Sequence, residues 1–152
     1  MHPSSHTVIP VEQETTLDKG IRRFEEIMNI PAEKFLGKFA SVAPDFGKYI
    51  LEWEFGEMYG REGIDLRTRE IVIIASCATL GAVGLPALKM HIAAALRLGI
   101  SRQEIGEILM QVAFSAGLPT AISALEAALE VFESVGASMA SAHEGQVQSR
   151  AE

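Results

Sequence analysis

Three features of the sequence predict an all-α fold. No segment sustains the period-two alternation of a half-buried strand, whereas apolar residues recur three and four apart from Leu17 to Phe132. The junctions between those runs carry helix punctuation, most sharply at Gly99, Ser101 and Glu104, where a left-handed stop is followed by a capping box. Between Thr68 and Ala82 the residues are apolar on every side, the pattern of a helix inside a domain or an assembly. The expectation is a compact helical domain of about six to seven helices packed around a buried central one. Residues 1–14 form a flexible arm, 15–135 a single domain and 136–152 a disordered tail.

Each element has its own signal. Thr15 or Thr16 caps a first helix carrying Leu17, Ile21, Phe24, Ile27 and Met28, and Asn29 ends it. Pro31 suits the first turn of a second helix, with Phe35, Leu36 and Phe39 inward, and Pro44 with Asp45 starts a third carrying Phe46, Tyr49, Ile50, Trp53 and Phe55. Gly56 weakens that helix, and Gly60 and Gly63 mark a loop. Asp65 caps the central helix, which runs to about Leu80, where Gly81, Gly84 and Pro86 break the pattern. Pro86 opens a helix through Leu88, His91, Ile92, Ala95 and Leu96 that Gly99 closes. Ser101 and Glu104 then start one bearing Ile105, Ile108, Leu109 and Val112. The last, Thr120 to Val135, sets Ile122, Leu125, Leu129 and Phe132 against Glu126, Glu130 and Glu133.

Composition narrows the functions. A chain of 152 residues buries roughly 70% of its unfolded surface, enough for a sizeable core. The formal charge of −7, with no basic run, argues against nucleic acid as a partner. The longest apolar stretch, Ile71 to Leu88, is broken by Ser76, Thr79, Gly81, Gly84 and Pro86, so it reads as a buried helix and a turn rather than a membrane span. The stretch MHPSSHTVIPVEQE has neither the basic nor the apolar region of a secretory signal. Together with a lone cysteine, Cys77, that points to a reducing cytoplasm. His2 and His6 could share a metal only on a helix, which Pro3 opposes, and no zinc ligand set, phosphate loop or nucleophile elbow is present.

The candidate chemistry lies at the two ends of the central turn. Glu70 shares a helix face with Leu66, Ile73, Ile74 and Cys77, so its carboxylate leans toward apolar surroundings. It is either a proton-exchanging group or half of a structural ion pair with Arg67 or Arg69. His91 shares a stripe with Leu88, Ala94 and Ala95, and is either a core histidine bonded to a backbone carbonyl or the partner of a carboxylate in acid/base work. Arg67, Arg69 and Lys89 are the cations available to an anionic small-molecule substrate, or else they are solvated surface charge. Cys77 reads as a small buried hydrophobe, since no second cysteine can resolve it.

One ordered series of residues is more specific. Leu66-Arg67-Thr68-Arg69-Glu70, His91, Ala94-Ala95-Leu96, Gly99-Ile100-Ser101, Glu104-Ile105, Glu107, Gln111-Val112-Ala113 and Gly117-Leu118-Pro119 together resemble the carboxymuconolactone decarboxylase family, over about Phe46 to Phe132. The resemblance implies an all-helical subunit of the alkylhydroperoxidase D-like type that assembles into rings, as a homotrimer or homohexamer, with sites near subunit contacts. It implies either of two activities. One is decarboxylation of 4-carboxymuconolactone to an enol-lactone in aromatic breakdown, with no cofactor. The other is thiol redox chemistry by a Cys-x-x-Cys pair with a histidine and a glutamate.

Carried over by position, Glu70 matches the glutamate of the redox branch and His91 the histidine of both. The cysteine pair falls at Gly84 and Ala87, so thiol chemistry lacks its nucleophile. The decarboxylase branch often has a glutamate four residues before its histidine, where this chain has Ala87, and Glu70 would have to supply that carboxylate from another helix. The resulting expectation is a cofactor-free lyase in which Arg69 holds an anionic group and His91, paired with Glu70, protonates the carbanion left by departing carbon dioxide. A binding or scaffold protein that kept the fold and lost the reaction is the alternative.

Overall fold

Seven α-helices account for most of the regular structure in the computed structural model, which describes residues 13–148: α1 (Thr16–Met28), α2 (Ala32–Gly37), α3 (Phe46–Ile50), α4 (Leu66–Thr79), α5 (Leu85–Arg97), α6 (Arg102–Ala116) and α7 (Leu118–Gln148). A π-helical segment, Leu51–Glu57, continues α3, and 3-10 turns occupy Met58–Gly60 and Gly81–Val83. No strand occurs among the described residues, and the fold is all-α. Most of the expected arm, with His2 and His6, lies outside the described residues.

Where the sequence reading has one domain over 15–135, the packing divides the chain into two compact units. One takes the described residues up to Glu25 with Ile30–Gly60; the other takes Glu26–Asn29 with the described residues from Arg61 onward. The division follows chemistry, because the first unit is held by aromatic rings and the second by aliphatic side chains.

In the first unit Phe24, fully buried, meets Phe35 at 4.9 Å and Phe55 edge-on at 5.1 Å between ring centroids. Phe55 in turn stacks on Tyr59 at 4.7 Å. Arg23 donates through Nη1 to the carbonyls of Phe55 and Gly56, at 3.0 and 2.7 Å, satisfying acceptors at the end of the π-helical segment. The third helix differs from expectation. Phe46, Tyr49 and Trp53 face outward, Trp53 with 66% of its surface exposed, while Leu51 and Phe55 are buried. The wider π turn changes the register and swings the 51 and 55 positions inward. At Gly20 the backbones come so close that a Cβ would stand 2.1 Å from the Leu51 carbonyl oxygen.

In the second unit α4 packs on α5 and α6, α6 runs along α7, and α5 also lies against α7. Ile74, Ala78, Leu88, Ile92, Ile100, Ile105, Leu109 and Val112 form the core with the alanines of α7. The local signals hold at three junctions. Asp65 accepts a 2.6 Å bond from the Thr68 amide at the start of α4. Ser101 and Glu104 form the reciprocal capping box. Gly99 closes α5 at φ +84°.

Two expectations are corrected. The inward face of α7 is Ala121, Ala124, Ala127, Ala128 and Val131, whereas Ile122 and Leu129 are 54% and 58% exposed. Alanine lets helix axes approach closely, and the bulky residues are left on the outer side. Secondly, the tail expected from Gly136 continues as α7 to Gln148. That stretch is rich in alanine and has no proline, and each of its two glycines, Gly136 and Gly145, costs a helix only about 1 kcal/mol. In α4, Glu70, Ile74 and Ala78 are fully buried, while Val72 on another face and the C-cap Leu80 are 51% and 63% exposed in the single chain.

Two predictions follow from these contacts. Gly20→Ala gains about 1 kcal/mol of helix propensity but overpacks a site bounded by backbone, which costs about 1–3 kcal/mol or more. Its urea midpoint falls below the parent's. Acid titration tests the caps. The Thr68 amide bonded to Asp65, and the Ser101 amide bonded to Glu104 with Arg67 beside it, hold both exposed carboxyls below their usual values of 3.8 and 4.5. Such groups bind protons less readily folded than unfolded, so their stabilisation is complete above the usual values and is lost as pH falls through the lowered ones. Melting temperature therefore drops below about pH 4.5. Asp65→Asn, which caps without titrating, shows a shallower drop.

Candidate active site

The Asp65 cap fixes where α4 begins, and with it the rotation that places Glu70, Ile74 and Ala78, four residues apart, on one inward stripe. All three have no exposed surface. Beyond Thr79 the chain turns through Gly81–Val83, with Gly81 at φ +62°, and re-enters as α5 with Pro86 in its first turn. The inward stripe of α5 is Leu88, His91, Ile92 and Ala95. Antiparallel pairing of the two helices brings together residues 21 apart in sequence: His91 Nδ1 lies 2.9 Å from Glu70 Oε2.

This pair is the only buried polar or charged set among the described residues, with Glu70 at 0% and His91 at 6% exposure. An isolated carboxylate in such surroundings carries a large desolvation cost, which a hydrogen-bonded partner offsets. The contact uses Nδ1, so Nε2 is the ring nitrogen left to meet a substrate. An imidazole oriented through one nitrogen and reactive through the other is the arrangement general acid/base catalysis requires.

The three cations expected to clamp an anion do not converge on this pair. Arg67 pairs with Glu104 of α6, and Lys89 with Glu130 of α7, both at exposed positions. Arg69 donates through Nη2 to the Arg61 carbonyl at 2.9 Å. Sequence reasoning missed a fourth, Arg97, in the last turn of α5. It donates to the Ile27 carbonyl at 2.7 Å. Burial lowers its pKa, and the charge of Glu70 acts in the opposite direction. The signal was a basic residue in the closing turn, which by itself reads as a partner of the helix dipole.

The two positions where the redox branch would carry cysteines differ in character. Ala87 is exposed. Gly84 is buried, and a Cβ there would stand 1.9 Å from the Cys77 carbonyl oxygen. The turn between α4 and α5 closes against α4 with no space for any side chain at 84. Gly84→Ala is accordingly destabilising, by about 1–3 kcal/mol or more in chemical unfolding. The double variant Gly84→Cys, Ala87→Cys unfolds more readily than the parent and does not gain rapid peroxide reduction, measured by coupled thiol consumption.

The all-α fold agrees with what the chain is similar to. A model of the carboxymuconolactone decarboxylase family matches residues 44–130, more than half of the chain and a span that includes Glu70, His91 and Arg97. Among curated relatives, an uncharacterised 15.0 kDa protein of Paracoccus denitrificans, from the nqo9-nqo10 intergenic region, is 35% identical over 91 residues, covering 60% of this chain and 68% of the relative. A 4-carboxymuconolactone decarboxylase of Acinetobacter baylyi is 34% identical over 92 residues, covering 60% of this chain and 67% of the relative. An all-helical chain with this matched span belongs to the carboxymuconolactone decarboxylase family.

Proposed function

We propose that this protein is a cofactor-free lyase that decarboxylates a small lactone acid, with His91 as the proton donor and Glu70 as its buried partner. The observation that carries the reading is the 2.9 Å contact between Nδ1 and the carboxylate in an otherwise apolar interior. A carboxylate held there sets the orientation of the ring and leaves Nε2 toward the substrate. The carbon–carbon bond to the leaving carboxylate breaks, its electron pair stays on the lactone carbon as an enolate, and carbon dioxide departs. Nε2 delivers its proton to that carbon, and the neutral ring regains one from water. Low polarity around the pair favours loss of charge from the carboxylate that leaves.

The substrate class is taken from the 4-carboxymuconolactone decarboxylase of Acinetobacter baylyi to which the chain is similar. Arg69, half-buried beside Glu70 in sequence, is assigned to a second anionic group of the substrate. Arg67 and Lys89 can join it only by releasing Glu104 and Glu130. The reading includes a cytoplasmic homotrimer or homohexamer. Its support is the exposed apolar surface of Phe114, Leu118 and Ile122, at 89%, 69% and 54%, which is unfavourable to leave in water.

Turnover of 4-carboxymuconolactone, followed by carbon dioxide release, tests the assignment. Loss of one general acid lowers rate by about 100- to 10,000-fold, so His91→Ala falls by that factor. His91→Gln, which keeps a hydrogen-bond donor near Glu70, falls similarly while melting close to the parent. A His91 variant that turns over at the parent rate excludes the ring as the donor. A parent protein that binds lactone acids tightly without releasing carbon dioxide has the fold as a binding protein and not the reaction.

A further inference from the structure

We propose that the cleft lined by Thr16, Tyr49, Glu52, Trp53 and Glu57 binds a small organic cation, a quaternary ammonium or an alkylated amine. These residues belong to the first compact unit, whereas Glu70 and His91 belong to the second, so the proposal stands or falls separately from the lyase reaction. The cleft originates in the π-helical segment. Tyr49, Trp53 and Glu57 follow one another at intervals of four, and the wider turn over Leu51–Glu57 sends Leu51 and Phe55 inward while this row stays outside. Tyr49 and Trp53 are left 59% and 66% exposed. The start of α1 forms the facing wall through Thr16, and backbone contact holds the two walls together: a Cβ on Gly56 would stand 2.6 Å from the Thr16 carbonyl oxygen. The cleft is therefore formed before any ligand arrives, and its volume of about 450 Å³ falls in the range of small-ligand sites.

The lining selects the ligand's chemistry. An indole and a phenol attract a cation to their faces, and an alkylated ammonium, weakly hydrated and apolar at its edge, gains most from such rings. Glu52 and Glu57 supply the opposite charge in the same cleft. The surrounding stretch agrees in sign, since Asp45, Glu52, Glu54 and Glu57 are set against Lys48 alone between positions 45 and 57. Lys48 lies 3.9 Å from Glu52 in an exposed pair, an interaction weak enough for a ligand to exchange. An anion would meet two carboxylates and no cation in this lining. A neutral apolar molecule would cover the rings but desolvate the carboxylates without a partner. A hard metal ion needs a shell of about six oxygens, and aromatic walls supply none. The combination of exposed rings with carboxylates in one preformed cleft is met by an organic cation.

Trp53 is the single tryptophan of the chain, so its fluorescence reports on this cleft directly. Choline is the probe, and its neutral isostere, in which a tert-butyl group replaces the trimethylammonium, is the control. Choline is expected to change the emission of the full chain saturably, at concentrations where the isostere does not. Ligand-observed NMR of the choline methyl protons extends the comparison to variants without the tryptophan. Trp53→Leu and Glu57→Gln each weaken choline binding by about 2- to 30-fold, while Trp53→Phe, which keeps an aromatic face, retains most of it. All three positions are exposed, so the variants should melt close to the parent. If choline and the isostere act alike on Trp53, or neither acts, the cleft has no preference for positive charge and the proposal fails. If the emission of ligand-free protein moves to shorter wavelength as protein concentration rises, a second copy of the chain covers the rings and the proposal fails in favour of an interface.

Discussion

A hydrogen-bonded acid and imidazole sealed inside aliphatic packing set the terms for the rest of this structure. Removing one member of a buried charged pair typically costs about 3–5 kcal/mol because the other is stranded, a sum comparable to the whole stability of many domains. The helices bearing Glu70 and His91 therefore have to meet in one register. Asp65 fixes where α4 starts, the left-handed Gly81 reverses the chain, and Gly84 lets α5 begin in contact with the Cys77 carbonyl. Each of these devices is remote from the carboxylate, and each contributes to where it points.

Close approach between backbones explains both what is inside and what is outside. Gly20 and Gly84 stand where no side chain fits, and α7 turns alanines to the core. Small residues at these contacts bring helix axes together, which is how modest side chains reach high packing density. The cost appears on the opposite faces. Ile122 and Leu129, displaced from the interior by Ala121, Ala124 and Ala128, remain in contact with solvent, as do Phe114 and Leu118. An outward apolar face is thus the counterpart of an alanine-lined inward one.

Much of this was legible in the chain because the relevant signals are local. The capping box at Ser101 and Glu104, the stop at Gly99 and the cap at Asp65 each involve residues within a turn of one another, and each is present as read. Glu70 and His91 were legible as candidates from their helix stripes, and their pairing across two helices was expected from the family resemblance; the periodicity alone could not give it, since the contact depends on a turn that sets two helices antiparallel. Arg97 was missed for the same reason: the acceptor it bonds, the Ile27 carbonyl, lies 70 residues away in the chain. The outward position of Trp53 escaped because periodicity assumes α-helical spacing, and a π-helical segment violates it. The extent of α7 escaped because alanine-rich polar sequence is compatible with a helix as well as with a tail.

Drawing the carboxylate from a second helix has a mechanical consequence. A glutamate at position 87 would sit on the exposed side of α5, one turn before His91 and on the same rigid element, so the pair would exist wherever that single helix formed. Glu70 instead comes from α4, and its contact with His91 exists only when α4 and α5 are docked. Here the arrangement of the acid and the imidazole is a property of tertiary packing. It is also shielded from water in a way that a surface pair is not, which strengthens the interaction between its members and makes it more sensitive to any nearby charge.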